Sequence, residues 1–177
     1  MNKEYTIRDL YEIYCEAMPR YPLAYERFRD ILHKDNSQIF TAESSETIIG
    51  FVVVNGNSVV ILCVKKGYRH SGYGKHLLIM AEGFISANYD EVILGGGGLL
   101  QGVPCDNDEE SSVPFFEKRG YNADFTSVNM GLELNDKAVE KLKEIPRPDG
   151  VTYRFADDND REKLLAAVKD AQADWLP

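Results

Sequence analysis

Apolar residues recur with a helical period in two segments near the start of the chain. In residues 6–18, and again in residues 23–34, they are spaced so that they fall on one face of a helix. Pro19 and Pro22 lie between the two segments and end the first of them, because proline cannot continue a helix. The pattern predicts two amphipathic helices before any strand.

After residue 35 the pattern changes to short runs rich in isoleucine and valine, which are typical of strands. We predict strands at residues 38–42, 47–54 and 58–64, and Gly56-Asn57 predicts a tight turn between the last two. A sheet therefore follows the two helices.

The rest of the chain alternates helices and strands. Residues 72–88 predict a helix whose inward stripe consists of Leu77, Leu78, Ala81, Phe84 and Ile85. Further helices are predicted at residues 113–119, 136–145 and 158–175, and further strands at residues 91–94, 122–124, 127–134 and 151–155. Such a mixture predicts an α/β (α+β) fold, with a mixed sheet flanked by helices.

Charge and composition exclude several classes of protein. The net charge is −9, so the surface as a whole repels nucleic acid and anionic membranes. No stretch is apolar for long enough to cross a membrane, and the first ten residues carry charges where a secretion signal would be apolar. Cys15, Cys63 and Cys105 are odd in number and widely spaced, which fits neither a disulfide framework nor a zinc site. We expect a reduced, cytoplasmic protein without a metal, in which Cys15 and Cys63 are small core residues.

The strongest chemical signal is the loop Arg69-His70-Ser71-Gly72-Tyr73-Gly74, which lies between a predicted strand and a predicted helix. Glycines let a ligand approach the main chain closely, and the amides at a helix start attract an anion. Nearby basic residues add positive charge to an otherwise acidic chain: Lys65, Lys66, Arg69, His70 and Lys75. The combination is suited to a diphosphate.

Two other glycine-rich phosphate-binding motifs do not match the spacing of this loop. A dinucleotide-binding fingerprint needs a third glycine where the chain has Leu77, and a nucleotide P-loop needs a hydroxyl where it has His76. A turn that glycine merely relaxes, with solvated lysines around it, remains an alternative.

The same segment resembles the GNAT superfamily of N-acetyltransferases. Its signature, Gln/Arg-x-x-Gly-x-Gly/Ala, matches residues 69–74, and Phe115-Phe116-Glu117-Lys118-Arg119-Gly120-Tyr121 is similar to the family's Tyr-Glu-Lys-x-Gly-Phe segment. The resemblance covers about residues 6–134. It implies a mostly antiparallel central sheet that splays open between the strands at residues 58–64 and 91–94.

The resemblance also implies a site for acetyl-CoA as the acyl donor. The main chain of Leu62, Cys63 and Val64 would pair with the pantetheine amides, as a peptide adds to a sheet edge. The diphosphate would bind the segment His70, Ser71, Gly72, Tyr73, Gly74 and Lys75, beside Arg69. An amine would then attack the thioester directly.

The family usually has a tyrosine that protonates the thiolate. This chain has Phe116 at that position. Phe116 has no proton to give; it remains a candidate cofactor contact, or an apolar face residue of its helix. Catalytic residues are therefore unassigned. The weak candidates are Tyr121, which is also expected to pack or to line the rim, and three residues of the loop 95–110: Cys105, Asp106 and Glu109. The loop's acidic run would attract a cationic amine, or would simply be solvated.

The two ends of the chain also depart from the family. The sheet of the family begins with a strand, whereas this chain enters a helix almost at once; a similar strand and helix occur instead at residues 151–177, after a linker at residues 146–150. We predict a first domain over residues 1–145. The extension either opens a second GNAT-like domain, or supplies the missing strand in the same molecule or in a homodimer, since an unpaired sheet edge is a liability.

Two functions follow from the resemblance. The first is an acetyl-CoA-dependent N-acetyltransferase acting on a small-molecule or peptide amine. The second is a non-catalytic acyl-CoA-binding regulatory module. A plain α/β interaction domain that does not bind acetyl-CoA is a third possibility.

Overall fold

The structure is a computed structural model, and it describes residues 5–96, 102–104, 112–123, 135–144, 146 and 148–171. The chain divides into two units, Met1–Asp124 and Phe125–Pro177. The division lies before the predicted linker at residues 146–150. Each unit is described by itself.

The first unit contains the predicted helices and the predicted central strands. They are α1 Ile7–Ala17, α2 Tyr25–Leu32, β1 Ser37–Ser44, β2 Thr47–Asn55, β3 Ser58–Val64, α3 Tyr73–Ile85, β4 Ile93–Leu94 and α4 Val113–Glu117. A capping box starts α1, in which the Asp9 amide donates to Thr6 Oγ1 at 3.2 Å and the Thr6 amide donates to Asp9 Oδ2 at 2.8 Å. Residues 122–123 are not in a strand, and the rest of the predicted pair, residues 124–134, lies outside the described residues.

The sheet has the order β1-β2-β3-β4. The β1–β2 and β2–β3 pairs are antiparallel, whereas β3 and β4 are parallel and pair only at Ser58↔Ile93 and Val59↔Leu94. Gly56 takes a φ of +60° in the predicted hairpin turn, a conformation that glycine adopts without strain. The predicted mixed, mostly antiparallel sheet that opens between β3 and β4 is thus confirmed.

Each face of the sheet carries its own core. On one face α1 and α2 pack against the sheet around Phe28, whose ring lies 5.3 Å from those of Tyr11 and Tyr14 and 6.2 Å from that of Phe51. On the other face α3 and α4 pack around Leu77, Leu78, Ala81, Ile85 and Phe116. Both faces of β2 are therefore buried, which explains its nearly continuous run of apolar residues.

Gly50 lies where β2, β3 and α3 pack closely together. A Cβ atom added at Gly50 would stand 2.7 Å from the carbonyl oxygen of Cys63 and 3.3 Å from a methyl group of Leu77. Real Cβ atoms essentially never come so close to a backbone atom. The close packing of α3 on the sheet thus depends on the absence of a side chain at this position.

Two predictions about the core are wrong. Cys15 is exposed, because it lies on the outer side of α1, whereas Cys63 is buried as expected. Phe84 is 42% exposed, since it comes at the edge of the α3 stripe, where its ring contacts Phe40 at 5.8 Å.

The second unit contains α5 Asp136–Lys143 and α6 Arg161–Ala171, with a single 3₁₀ turn before α6. Arg154 holds Asp160 by two hydrogen bonds of 2.6 Å, and this pairing keeps the pKa of the Asp160 carboxyl below its ordinary value. The strand predicted at residues 151–155 is not formed in this chain: Phe155 is 99% exposed, and its neighbours are not part of any ladder. An extended apolar segment becomes a strand only when a partner supplies the ladder hydrogen bonds.

Candidate functional site

The predicted phosphate loop connects the end of β3 to the start of α3. Gly72 is the N-cap residue of α3 and has φ +89° and ψ −12°, in the left-handed region. His70 also has a positive φ, of 61°. The sharp turn explains the glycine at position 72, because a residue with a Cβ atom would be strained there.

The turn leaves several amides without acceptors at the start of α3. The first hydrogen bond of the helix runs from the His76 amide to the Gly72 carbonyl, at 3.0 Å. No side chain caps the helix, and no described residue accepts a hydrogen bond from the amides of Tyr73, Gly74 or Lys75. Ser71, Gly72 and Lys75 are exposed, so a ligand can reach these amides, and the helix dipole favours an anion there.

Arg69 fixes this loop to two other elements. Its Nε donates to the Val64 carbonyl at 3.2 Å, and its Nη2 donates to the Ala17 carbonyl at 3.1 Å. Glu16 also holds the loop, because its carboxylate accepts a hydrogen bond from the Lys66 amide at 2.8 Å. Arg69 therefore braces the loop against β3 and the end of α1 while keeping a positive charge beside it. Sequence reasoning missed Glu16, since fifty residues separate it from its partner.

Beyond Val59 the outer edge of β3 is open, in the sense that no described strand pairs with it. Gly95 donates to the Val59 carbonyl at 2.9 Å, and the pairing with β4 ends there. On the other side, Lys65 donates to the Ile49 carbonyl at 2.8 Å. Successive residues of a strand face opposite sides, so the main-chain groups of Leu62 and Val64 face the open edge.

Cys63 differs from its two neighbours in β3. It pairs with Phe51 of β2, so its main-chain groups face into the sheet. Burial raises the pKa of its thiol to about 12. A thiol that is buried and protonated in this way is inert. Cys63 thus separates two residues whose main chain is placed to receive an extended ligand.

Phe116 packs in the core, which confirms that it is an apolar face residue of α4. Its side chain is 8% exposed. Its ring meets Phe115 at 4.9 Å and Tyr121 at 5.8 Å, both edge to face. The position where the family usually has its acidic hydroxyl is thus occupied by an aromatic cluster.

The Tyr121 hydroxyl donates to Glu82 Oε1 at 2.8 Å. Burial, together with this hydrogen bond to a carboxylate, raises the pKa of Tyr121 well above its ordinary value. Glu82 lies ten residues beyond Gly72, which is about 15 Å along α3. The hydrogen bond of Tyr121 therefore connects α3 to the segment after α4.

We expect Tyr121→Phe to behave as a packing variant. Losing one hydrogen bond should lower the free energy of unfolding by about 1 kcal/mol and leave turnover within about twofold. A general acid would instead contribute about 10²–10⁴-fold. Urea denaturation and initial rates of acetyl transfer, measured on both proteins, distinguish the two roles, and a loss of rate in that range would make Tyr121 catalytic.

Cys105, Asp106 and Glu109 lie outside the described residues. Their part in catalysis stays a prediction. Among the residues that the structure describes, no cluster of histidine, cysteine and carboxylate side chains could hold a metal ion. Within that same part of the chain, no helix is long and apolar enough to cross a membrane.

Comparisons with known proteins show which family has this fold. The family model for the acetyltransferase (GNAT) domain matches residues 35–123, which is half of the chain and includes both the phosphate loop and α4. No curated protein matches.

Three solved structures share the fold. A glucosamine N-acetyltransferase region of a fungal multi-domain GH3 β-N-acetylglucosaminidase has a TM-score of 0.65 at 21% identity, over 95% of this chain and 22% of that one. A transcriptional regulator from Bacillus halodurans C-125 has a TM-score of 0.51 at 18% identity, over 73% and 97%. An aminoglycoside acetyltransferase from an uncultured soil sample, in complex with sisomicin, has a TM-score of 0.51 at 15% identity, over 72% and 88%.

Likeness at these identities concerns the fold, whereas the family model also matches the segments that build the loop. The sheet that opens between β3 and β4, the α3 amides that have no acceptor in the described part of the chain, and the matching domain model all point to the same family. The chain belongs to the GNAT acetyltransferase family.

Proposed function

We propose that the protein is an acetyl-CoA-dependent N-acetyltransferase that acts on a small-molecule or peptide amine. The observation that carries the proposal is the turn at the start of α3, next to the open edge of β3: Ser71, Gly72 and Lys75 are exposed there, and the amides of Tyr73, Gly74 and Lys75 have no acceptor among the described residues. An acyl-CoA offers two features for recognition: its anionic diphosphate and its extended pantetheine chain, which carries amides. The two features follow one another in the chain, which runs from β3 through the loop to α3.

The residues available fit this ligand. The diphosphate would bind the amides of His70 to Lys75, with Arg69 holding the loop in shape and Lys75 adding charge. The pantetheine amides would pair with Leu62 and Val64, whose main chain faces the open edge. Arg69 Nε already uses the Val64 carbonyl, which leaves the Val64 amide and the Leu62 groups for the ligand.

The chemistry would be direct attack of a neutral amine on the thioester carbonyl. A C–N bond forms, the C–S bond breaks, and the sulfur leaves with the electron pair as a thiolate, while the amine loses one proton to a base. Phe116 cannot protonate the thiolate. A thiolate is a tolerable leaving group, so turnover can continue without the roughly 10²–10⁴-fold help of a general acid. Asp106 and Glu109 are the candidate bases, through water, and Cys105 is the candidate acid.

A non-catalytic acyl-CoA-binding module is the second candidate, and the phenylalanine at position 116 is the observation that favours it. Binding and turnover distinguish the two. We expect acetyl-CoA at 100 times its Kd to stabilise the protein by about 2.7 kcal/mol, a rise in Tm of roughly 5–10 °C. Release of free CoA with a panel of primary amines would then support the enzyme, and binding without release would support the module. If acetyl-CoA leaves the Tm unchanged, the chain is an interaction domain.

The cytoplasmic location and a possible homodimer remain predictions from the sequence. Nucleic acid and membranes are not expected partners, because the acidic surface repels both. The extension at residues 151–177 also remains a prediction, either as the start of a second GNAT-like domain or as a strand for a sheet edge.

A further inference from the structure

Arg119 is held in an unusual way at the end of α4. Its guanidinium carbon lies 3.7 Å from the centre of the Phe115 ring, and its Nη1 donates to the Phe115 carbonyl. Its Nε is buried and has no hydrogen-bond partner among the described residues. A guanidinium stacked on an aromatic ring is fixed in orientation, so the donors that remain point in a set direction.

The charge of Arg119 is not balanced within the described part of the chain. No carboxylate there forms an ion pair with it, although the chain carries 29 aspartates and glutamates against 20 lysines and arginines. Nη2 likewise has no partner in that part of the chain. A partly buried cation with an unused donor costs free energy unless something else compensates it.

Phe115 connects this cation to the phosphate loop. Two atoms of its ring lie 3.4 and 3.5 Å from the position of a Cβ atom on Gly74, in the first turn of α3. The same ring carries the guanidinium. Arg119 is therefore one aromatic ring away from Gly74 in the first turn of α3, and its charge adds to the positive end of the helix dipole.

We infer that Arg119 is a phosphate-binding residue of the acyl-donor site, because its Nη2 has no partner in the described part of the chain and the ring on which it stacks, Phe115, packs on the first turn of α3. The inference rests on the proposed function. The ligand group is a phosphoryl oxygen of the nucleotide half of CoA, and two sources supply one: the diphosphate and the 3′-phosphate. Arginine suits either, because its planar fork offers two parallel hydrogen bonds.

The test compares Arg119→Gln with Arg119→Lys and with Lys118→Gln. Lys118 is exposed, adjacent and changes the net charge equally, so it controls for long-range attraction. We expect Arg119→Gln to weaken CoA binding roughly 10–100-fold, Arg119→Lys, which keeps the charge but not the planar fork, to weaken it less, and Lys118→Gln to stay within about twofold. Isothermal titration with CoA gives the Kd values, and thermal unfolding without ligand reports any loss of the fold.

Two further probes identify the phosphate. If Arg119→Gln and the wild type bind dephospho-CoA equally, the partner is the 3′-phosphate; if the difference persists with dephospho-CoA and disappears with pantetheine, it is the diphosphate. A role limited to holding the Phe115 carbonyl would affect all three ligands alike, and that result would overturn the inference. So would an unchanged Kd for CoA in Arg119→Gln.

A second variant decides the question if Arg119→Gln does not fold. Arg119→Lys keeps the charge, so a phosphate contact predicts that any loss of affinity is larger for CoA than for pantetheine. An Arg119→Lys protein that loses affinity for CoA and for pantetheine by the same factor excludes a phosphate contact. A wild-type protein that binds no CoA removes the proposed function itself.

Discussion

Gly72→Val should weaken acetyl-CoA binding about 100-fold, which corresponds to about 3 kcal/mol. Gly72 has φ +89°, and a β-branched residue is a genuine outlier there, with a strain of about 1–3 kcal/mol. The chain relieves the strain by rotating the loop, and this rotation turns the amides of Tyr73 to Lys75 away from a common anion. Losing two hydrogen bonds to a charged ligand costs about 1.5–3 kcal/mol each. Isothermal titration with acetyl-CoA measures the change.

Gly67→Ala is the matched control for this variant. Gly67 lies in the same connection, is exposed, and has neither a positive φ nor an atom within 4 Å of an added Cβ. We expect its Kd for acetyl-CoA to stay within about twofold of the wild type, because no donor at the α3 start moves. If Gly72→Val binds acetyl-CoA with unchanged affinity while remaining folded, the anion binds elsewhere and the proposed site is wrong.

Gly50→Val should destabilise the protein by about 3 kcal/mol or more. The added Cβ would stand 2.7 Å from the Cys63 carbonyl oxygen, which is a backbone atom inside the sheet and cannot rotate away. A glycine inside a strand ordinarily destabilises the protein by about 0.5–1 kcal/mol relative to alanine. Removing the glycine therefore stabilises the strand too little to offset such a clash. Urea denaturation followed by circular dichroism gives the free energy of unfolding.

The clash has a functional consequence as well. Gly50 pairs with Val64, so separating the strands displaces the last residue of β3 and the brace that Arg69 makes to it. Gly83→Ala provides the comparison, since Gly83 is exposed on α3 with no atom within 4 Å, and we expect it to stabilise the helix by about 0.5–1 kcal/mol. A Gly50→Val protein as stable as the wild type would mean that α3 and the sheet pack less closely than this approach implies.

Arg69 belongs to the family motif, and its side chain holds the loop in place even without a ligand. The sequence match suggested a phosphate contact, and the structure places both hydrogen bonds of the guanidinium on main-chain carbonyls of β3 and α1. Holding the loop in its binding conformation reduces the entropy that binding must otherwise lose. Its contribution to acetyl-CoA affinity would therefore come from preorganisation and from long-range charge.

Local periodicity was sufficient for α1, α2 and the three long strands, because apolar residues are concentrated in each of them in the pattern of a helix or a strand. The boundaries of α1 follow from Thr6 and from the prolines after it, which act through neighbouring residues only. The tail at residues 151–155 shows the opposite case. Its alternation of apolar and polar residues is that of a strand, but the ladder depends on a partner that this chain does not bring to it.

The sequence by itself determined the order of the elements from α1 to β4 and the position of the glycine loop between β3 and α3, since the glycine spacing and the flanking strand and helix are local properties. Only the tertiary structure decided which groups are free at that loop. It paired Arg69 with carbonyls, fastened Tyr121 to Glu82, and left Arg119 beside Phe115 without a carboxylate from the described part of the chain. The pairings of Arg69 with Ala17 and of Tyr121 with Glu82 join residues far apart in the chain, and they depend on packing that no local pattern encodes.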